Sequence, residues 1–151
     1  MTINEISWLP VGDELSLYEN VEIHIGLCTS DELCTDFASN YIPGSKLLVY
    51  QADYLELDPE PYEWMSIPLQ TPFYYECEEN LLIEIIHESG CVGHINCWSW
   101  IAGPNRAIKR ESSNPDLPGT PTNILPVMML SEVSSLENVT FGTIKLILGG
   151  Q

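Results

Sequence analysis

Period-two alternation dominates the chain. Val21-Glu22-Ile23-His24-Ile25-Gly26-Leu27 alternates without a break, which puts Val21, Ile23, Ile25 and Leu27 on one face of a strand. Leu47-Leu48-Val49-Tyr50 is a short apolar run after the turn Pro43-Gly44-Ser45. Trp64 to Leu69 reads as a further strand, and Pro68 assigns it to a sheet edge or a strand end. Leu81-Leu82-Ile83-Glu84-Ile85-Ile86 is the most apolar run, as expected of a central strand covered on one face and nearly covered on the other. Ile3 to Trp8, Cys97 to Ile101, Ile124 to Leu130 and Thr143 to Leu148 complete the set. The strongest inward positions, and so the expected core, are Ile23, Ile25, Val49, Ile67, Leu81, Ile83 and Ile85.

One segment carries a helix signal. Thr29-Ser30-Asp31-Glu32 offers a capping box with Thr29 as N-cap, and Leu33 and Phe37 follow at i, i+4. A short helical turn pressed on the sheet is predicted there. Asp58-Pro59-Glu60-Pro61 and Ser112 to Gly119 read as loops. About eight short strands, with no helix long enough for a crossover, predict a single all-β sandwich over residues 1–151, of jelly-roll or Greek-key type. The last strand, with Ile144, Leu146 and Leu148 on one face, is expected to be a sheet strand and a contact with another chain.

Charge narrows the partners. Twenty-two acidic residues against five basic ones give a formal net charge of −17. Nucleic acid and anionic membrane both need basic side chains against phosphate, so neither is expected. No apolar run approaches the roughly 20 residues that cross a bilayer. The opening Met1-Thr2-Ile3-Asn4-Glu5 has neither a basic nor an apolar leader stretch, so a secreted form is expected as a trimmed one.

Cysteine spacing bears on compartment. Cys28 and Cys34 are separated by five residues, as are Cys91 and Cys97, with Cys77 left over. Two matched pairs suggest Cys28–Cys34 and Cys91–Cys97 disulfides in an oxidising compartment. Zinc is the rival and buried thiols the plain alternative, though no Cys-x-x-Cys pair is present.

No catalytic residue emerges. The chain has no Gly-x-Ser-x-Gly elbow, no His-Glu-x-x-His and no phosphate-binding glycine loop, and His24, His87 and His94 lack ligand spacing. No metal site or cofactor is assigned, although Asp53, Glu56, Asp58, Glu60 and Glu63, or Glu76, Glu78 and Glu79, could offer oxygens to calcium. A solvated acidic surface explains the same residues. Aromatic positions give the one hint of binding: Trp98 and Trp100, at i and i+2, with Tyr74 and Tyr75, could form a ligand platform. Filling the core is the alternative for both tryptophans. Asn138-Val139-Thr140 is a formal glycosylation sequon.

The succession Val21-Glu22-Ile23-His24-Ile25-Gly26, Phe37-Ala38-Ser39-Asn40-Tyr41, Trp64-Met65-Ser66-Ile67-Pro68-Leu69, Pro72-Phe73-Tyr74-Tyr75, Asn80-Leu81-Leu82-Ile83-Glu84-Ile85 and Asn105-Arg106 resembles β-sandwich modules of bacterial secreted and cell-surface proteins. Thr140-Phe141-Gly142-Thr143-Ile144-Lys145 is similar to a segment near the ends of such chains. The resemblance implies a bacterial, extracellular or cell-surface, all-β module and supplies no catalytic residue. The cysteines lie outside the shared pattern. The expectation is therefore a non-enzymatic module with a structural, adhesive or assembly role, such as a surface-layer or filament subunit. Its partners would be other protein chains or copies of itself. A carbohydrate-binding module, with a glycan as partner, is the alternative.

Overall fold

The computed structural model describes residues 1–111, 114, 117–132 and 144–150, with 89–92 and 144–150 described by their backbone alone. Among the described residues the chain is all-β: β1 (Thr2–Trp8), β2 (Ser16–Cys28), β3 (Leu47–Leu57), β4 (Met65–Tyr74), β5 (Asn80–Val92), β6 (Ser99–Ile101), β7 (Ala107–Glu111), β8 (Thr120–Thr122), β9 (Ile124–Pro126), β10 (Met128–Ser131) and β11 (Ile144–Gly150). A three-stranded antiparallel sheet has the order β10-β1-β4. A six-stranded sheet has the order β3-β2-β5-β11-β7-β8, and β6 pairs with β9 in a small third sheet. Pro68 lies in β4, an edge strand, where its missing N–H costs no ladder bond.

Side-chain alternation gives the six-stranded sheet two different faces. Val21, Ile23 and Ile25 of β2 share a core with Val49, Leu81, Ile83 and Ala107. Ile3, Ile6 and Trp8 of β1, with Ile67, Phe73, Leu125 and Leu130, close that core from the other sheets. Each such residue contributes about 1.5–3 kcal/mol when fully buried. Of the expected core residues only Ile85 stays half-buried, packed against the rest. On the outer face Cys28, Leu82 and Ile108 pack under Leu33 and Phe37 from residues 29–46, a strap over the sheet.

Two expectations change here. The helical turn predicted at Thr29 is absent; a single 3-10 turn, Ala38–Asn40, stands further along. Local side chains take the backbone groups a helix would use. The Glu32 N–H donates to Ser30 Oγ and the Cys34 N–H to Asn40 Oδ1, while Asn40 Nδ2 donates to the carbonyls of Cys34 and Asp36. Leu33 and Phe37 are still buried, so the apolar pattern held while the period was misleading. The last strand, expected at a sheet boundary, is an interior strand: β11 runs parallel to both β5 and β7 and is hydrogen-bonded to each. Both of its edges are used within this chain, so it offers none to a neighbour.

Candidate functional site

Two regions hold side chains where simple partitioning would not put them. The first lies beneath the strap. Glu84 is on β5, directly opposite His24 on β2, and both project from the outer face. The Glu84 side chain is only 5 % exposed. Its Oε2 lies 2.5 Å from Lys46 Nζ and accepts a hydrogen bond from the Tyr41 hydroxyl at 2.9 Å. Lys46 Nζ also sits 5.1 Å from the Tyr41 ring centroid. Gly26, near the end of β2, permits this: a Cβ there would stand 2.6 Å from Tyr41 Cδ1. The phenol can lie against the sheet because the strand has no side chain at that point.

Burial sets the protonation states of this cluster. It pushes the Tyr41 phenol well above its ordinary value, and the Glu84 carboxylate adds to the shift. The same cause lowers His24 below 6.5, with Lys46 acting in the same direction and Glu84 and Glu22 against it. His24 Nε2 is 3.8 Å from Glu22, whereas its Nδ1 is buried with no hydrogen-bond partner. The arrangement neutralises one buried carboxylate with a cation and a phenol, and so ties the strap to the sheet. Beside it an open groove of about 550 Å³ is lined by Thr29, Ser30, Glu32, Cys34 and Tyr41 among others.

The second region is aromatic and exposed. The Trp98 N–H donates to the Leu9 carbonyl, the Val11 N–H to Asn96, the Tyr62 N–H to Pro10 and the Val127 N–H to Trp98. These bonds draw residues 9–11, 62, 96–98 and 127 together. Trp98 is 44 % exposed and Tyr62 70 %, with ring centroids 6.2 Å apart and planes tilted by 40°. In the adjoining β6–β9 pair Trp100 is 51 % exposed, while Ile101, 77 % exposed, pairs with the exposed Ile124 on the opposite face of the pair. The buried tryptophan is Trp8, so core filling does not explain Trp98 or Trp100.

The four platform residues divide into two groups. Tyr74 pairs with Thr2 at one end of β1, while Trp8, beside the Leu9 contact of Trp98, is at the other. Seven residues of strand span about 20 Å, which separates Tyr74 and Tyr75 from the tryptophans. Tyr75 also spends its hydroxyl on the Glu79 carbonyl. Tyr62 joins Trp98 instead. Its left-handed backbone (φ 67°) follows Pro59-Glu60-Pro61, a stiff segment whose role as an aromatic bracket no local pattern announces. Glu84, Tyr41 and Lys46 were not singled out either. A lone acid in the most apolar run, and a glycine interrupting a strand, were the signals available.

The cysteines depart from expectation. Among the described residues there is no disulfide: Cys28 Sγ donates to the Ser30 carbonyl and Cys34 Sγ to that of Asp36. Each thiol is turned to a carbonyl two residues on, which leaves Cys28 buried and Cys34 exposed. Cys77 and Cys97 are thiols as well, and burial pushes that of Cys97 up. The Cys91 side chain and the Asn138 sequon lie outside the described residues. Among those residues no three His, Cys, Asp or Glu side chains gather as a metal ion would require. Both acidic clusters are exposed, and His87 meets Tyr18 edge-on at 5.1 Å. Among the described residues no helix is long and apolar enough to cross a membrane. Family models, curated proteins and solved structures yield no match to the chain.

Proposed function

We propose that the protein is a non-enzymatic module, a single β-sandwich of jelly-roll or Greek-key type, that works by presenting surface in a structural, adhesive or assembly role. The observation that carries this reading is the exposed aromatic surface of Tyr62 and Trp98, with Trp100 two residues further along. Large aromatic side chains left in water side by side favour contact with another macromolecule. An extracellular setting rests on the resemblance to bacterial cell-surface modules alone, since the described cysteines are thiols. A second reading, glycan binding, is favoured by the Tyr62–Trp98 pair, whose rings suit the apolar face of a sugar.

Labelled protein and its Tyr62→Ser/Trp98→Ser variant, applied in parallel to a peptide array and a glycan array, test both readings. Peptides retained by the first and released by the second are the expected result. Differential retention of glycans alone selects the second reading. Identical behaviour of the two proteins on both arrays contradicts each.

A further inference from the structure

The rim of the aromatic surface differs from its centre. Val11 is followed by Asp13 and Glu14, and Tyr62 is flanked by Glu60 and Glu63; all four carboxylates are exposed. Consecutive Cα atoms are 3.8 Å apart, and each of these acids stands within three residues of Val11 or Tyr62. The five basic residues are Lys46, Arg106, Lys109, Arg110 and Lys145. None falls in the segments 9–15, 58–64, 96–102 or 123–127 that build this surface. Of these bases Lys46 is engaged by Glu84 and Lys109 by Glu111.

We infer that the surface around Tyr62 and Trp98 docks a cationic segment of a partner protein, one that sets arginine or lysine among apolar residues. The inference rests on reading the protein as a surface-acting module and names the chemistry of its partner. Apolar residues of the segment cover Trp100, which shares the strand face of Trp98. A guanidinium or ammonium lies over the Tyr62 and Trp98 rings, where the face of each ring attracts a cation. Asp13, Glu14, Glu60 and Glu63 then meet the remaining positive charge, and an arginine can engage a carboxylate through two parallel hydrogen bonds. A second copy of this chain fits poorly. It would bring one set of these carboxylates against another, with no basic residue in the segments that carry them, and like charges across an interface suppress association.

A 12-residue peptide of alternating arginine and leucine carrying a fluorophore is titrated with the protein, and anisotropy is read at low and at physiological salt. The glutamate–leucine peptide serves as its counterpart. Two charge-matched double variants separate the surface from general acidity: Glu60→Gln/Glu63→Gln at the rim, and Glu76→Gln/Glu78→Gln in the other acidic cluster. Neither pair is buried, so folding is not at stake. Expected are a roughly tenfold loss of affinity for the rim variant, less than twofold for the other, and a comparable loss for Trp98→Ala. Equal weakening by both charge variants would mean that the peptide reads net charge alone, and would overturn the inference. Binding of the glutamate–leucine peptide, or Trp98-dependent self-association in sedimentation, would also overturn it while leaving the surface-acting reading standing. Absence of any peptide binding, joined to identical array behaviour of the Tyr62→Ser/Trp98→Ser variant, would remove both.

Discussion

A carboxylate inside the protein and a cluster of aromatic rings outside it are both out of place by hydrophobicity, and the chain treats them in opposite ways. Glu84 is buried, but Lys46, Tyr41 and the glycine at position 26 are arranged around it, so its charge is met within the fold. Tyr62, Trp98, Trp100 and Ile101 remain in water, with only the tilted Tyr62–Trp98 contact between them. An anomaly compensated internally reads as architecture. One left open at the surface is the basis of the proposed contact with a partner. The difference separates residues whose replacement should alter stability from residues whose replacement should alter binding.

The largest effect belongs to the strand that carries Glu84. Ile83→Ala removes a fully buried side chain from interior strand β5 and is expected to cost about 2–5 kcal/mol in chemical denaturation. A loss below about 1 kcal/mol would mean that the inner face is not packed as described. Next comes Lys46→Met, which leaves the buried Glu84 carboxylate with the Tyr41 hydroxyl and the His24 ring opposite it, and no lysine. Because the Lys46 side chain is 38 % exposed, the expected cost is about 2 kcal/mol, below that of a fully buried pair. Adding Glu84→Gln should recover part of it, since the uncompensated charge is then gone. Strictly additive losses would show that the two groups are not coupled.

The pH dependence is smaller and has a definite sign. His24 has its folded value lowered below 6.5, chiefly by burial. The unfolded chain therefore binds this proton more readily, and stability falls as pH drops from about 6.5 through the folded value. Tyr41 is shifted the other way, so its contribution is intact below about pH 10 and is lost above, once the unfolded chain can ionise. Melting temperature measured from pH 4 to pH 11 should show both limbs, and His24→Gln should flatten the acid one near pH 6. An unchanged acid limb in that variant would shift the cause to other groups. Smallest is the effect of the aromatic surface on folding: Trp100→Ser is expected to change stability by no more than about 0.5 kcal/mol.

Sequence patterns expressed this fold unevenly, and the reasons are physical. Ile23, Ile25, Leu81 and Ile83 were legible because alternation is imposed residue by residue by the pleat. β7 was not, because Ala107-Ile108 is followed by Lys109-Arg110-Glu111 and offers only two apolar positions. The place of β11 between β5 and β7 depends on strand order, which no local pattern encodes. Cys28 and Cys34 show that matched spacing says nothing about where the sulfur atoms point. Of the exposed aromatic surface, Trp98 and Trp100 were visible as a pair. Their exposure, and the approach of Tyr62 across more than thirty residues, are products of the fold.

The contrast between the two regions is tested most directly by titrating the arginine–leucine peptide into Trp98→Ala and Lys46→Met side by side, with both proteins held well below their melting temperatures. The expected result is a double dissociation. Trp98→Ala keeps the parental melting temperature and loses about tenfold in affinity, whereas Lys46→Met melts lower and binds as the parent does. Loss of binding in Lys46→Met, or unchanged binding in Trp98→Ala, would contradict the assignment of one region to the fold and the other to a partner.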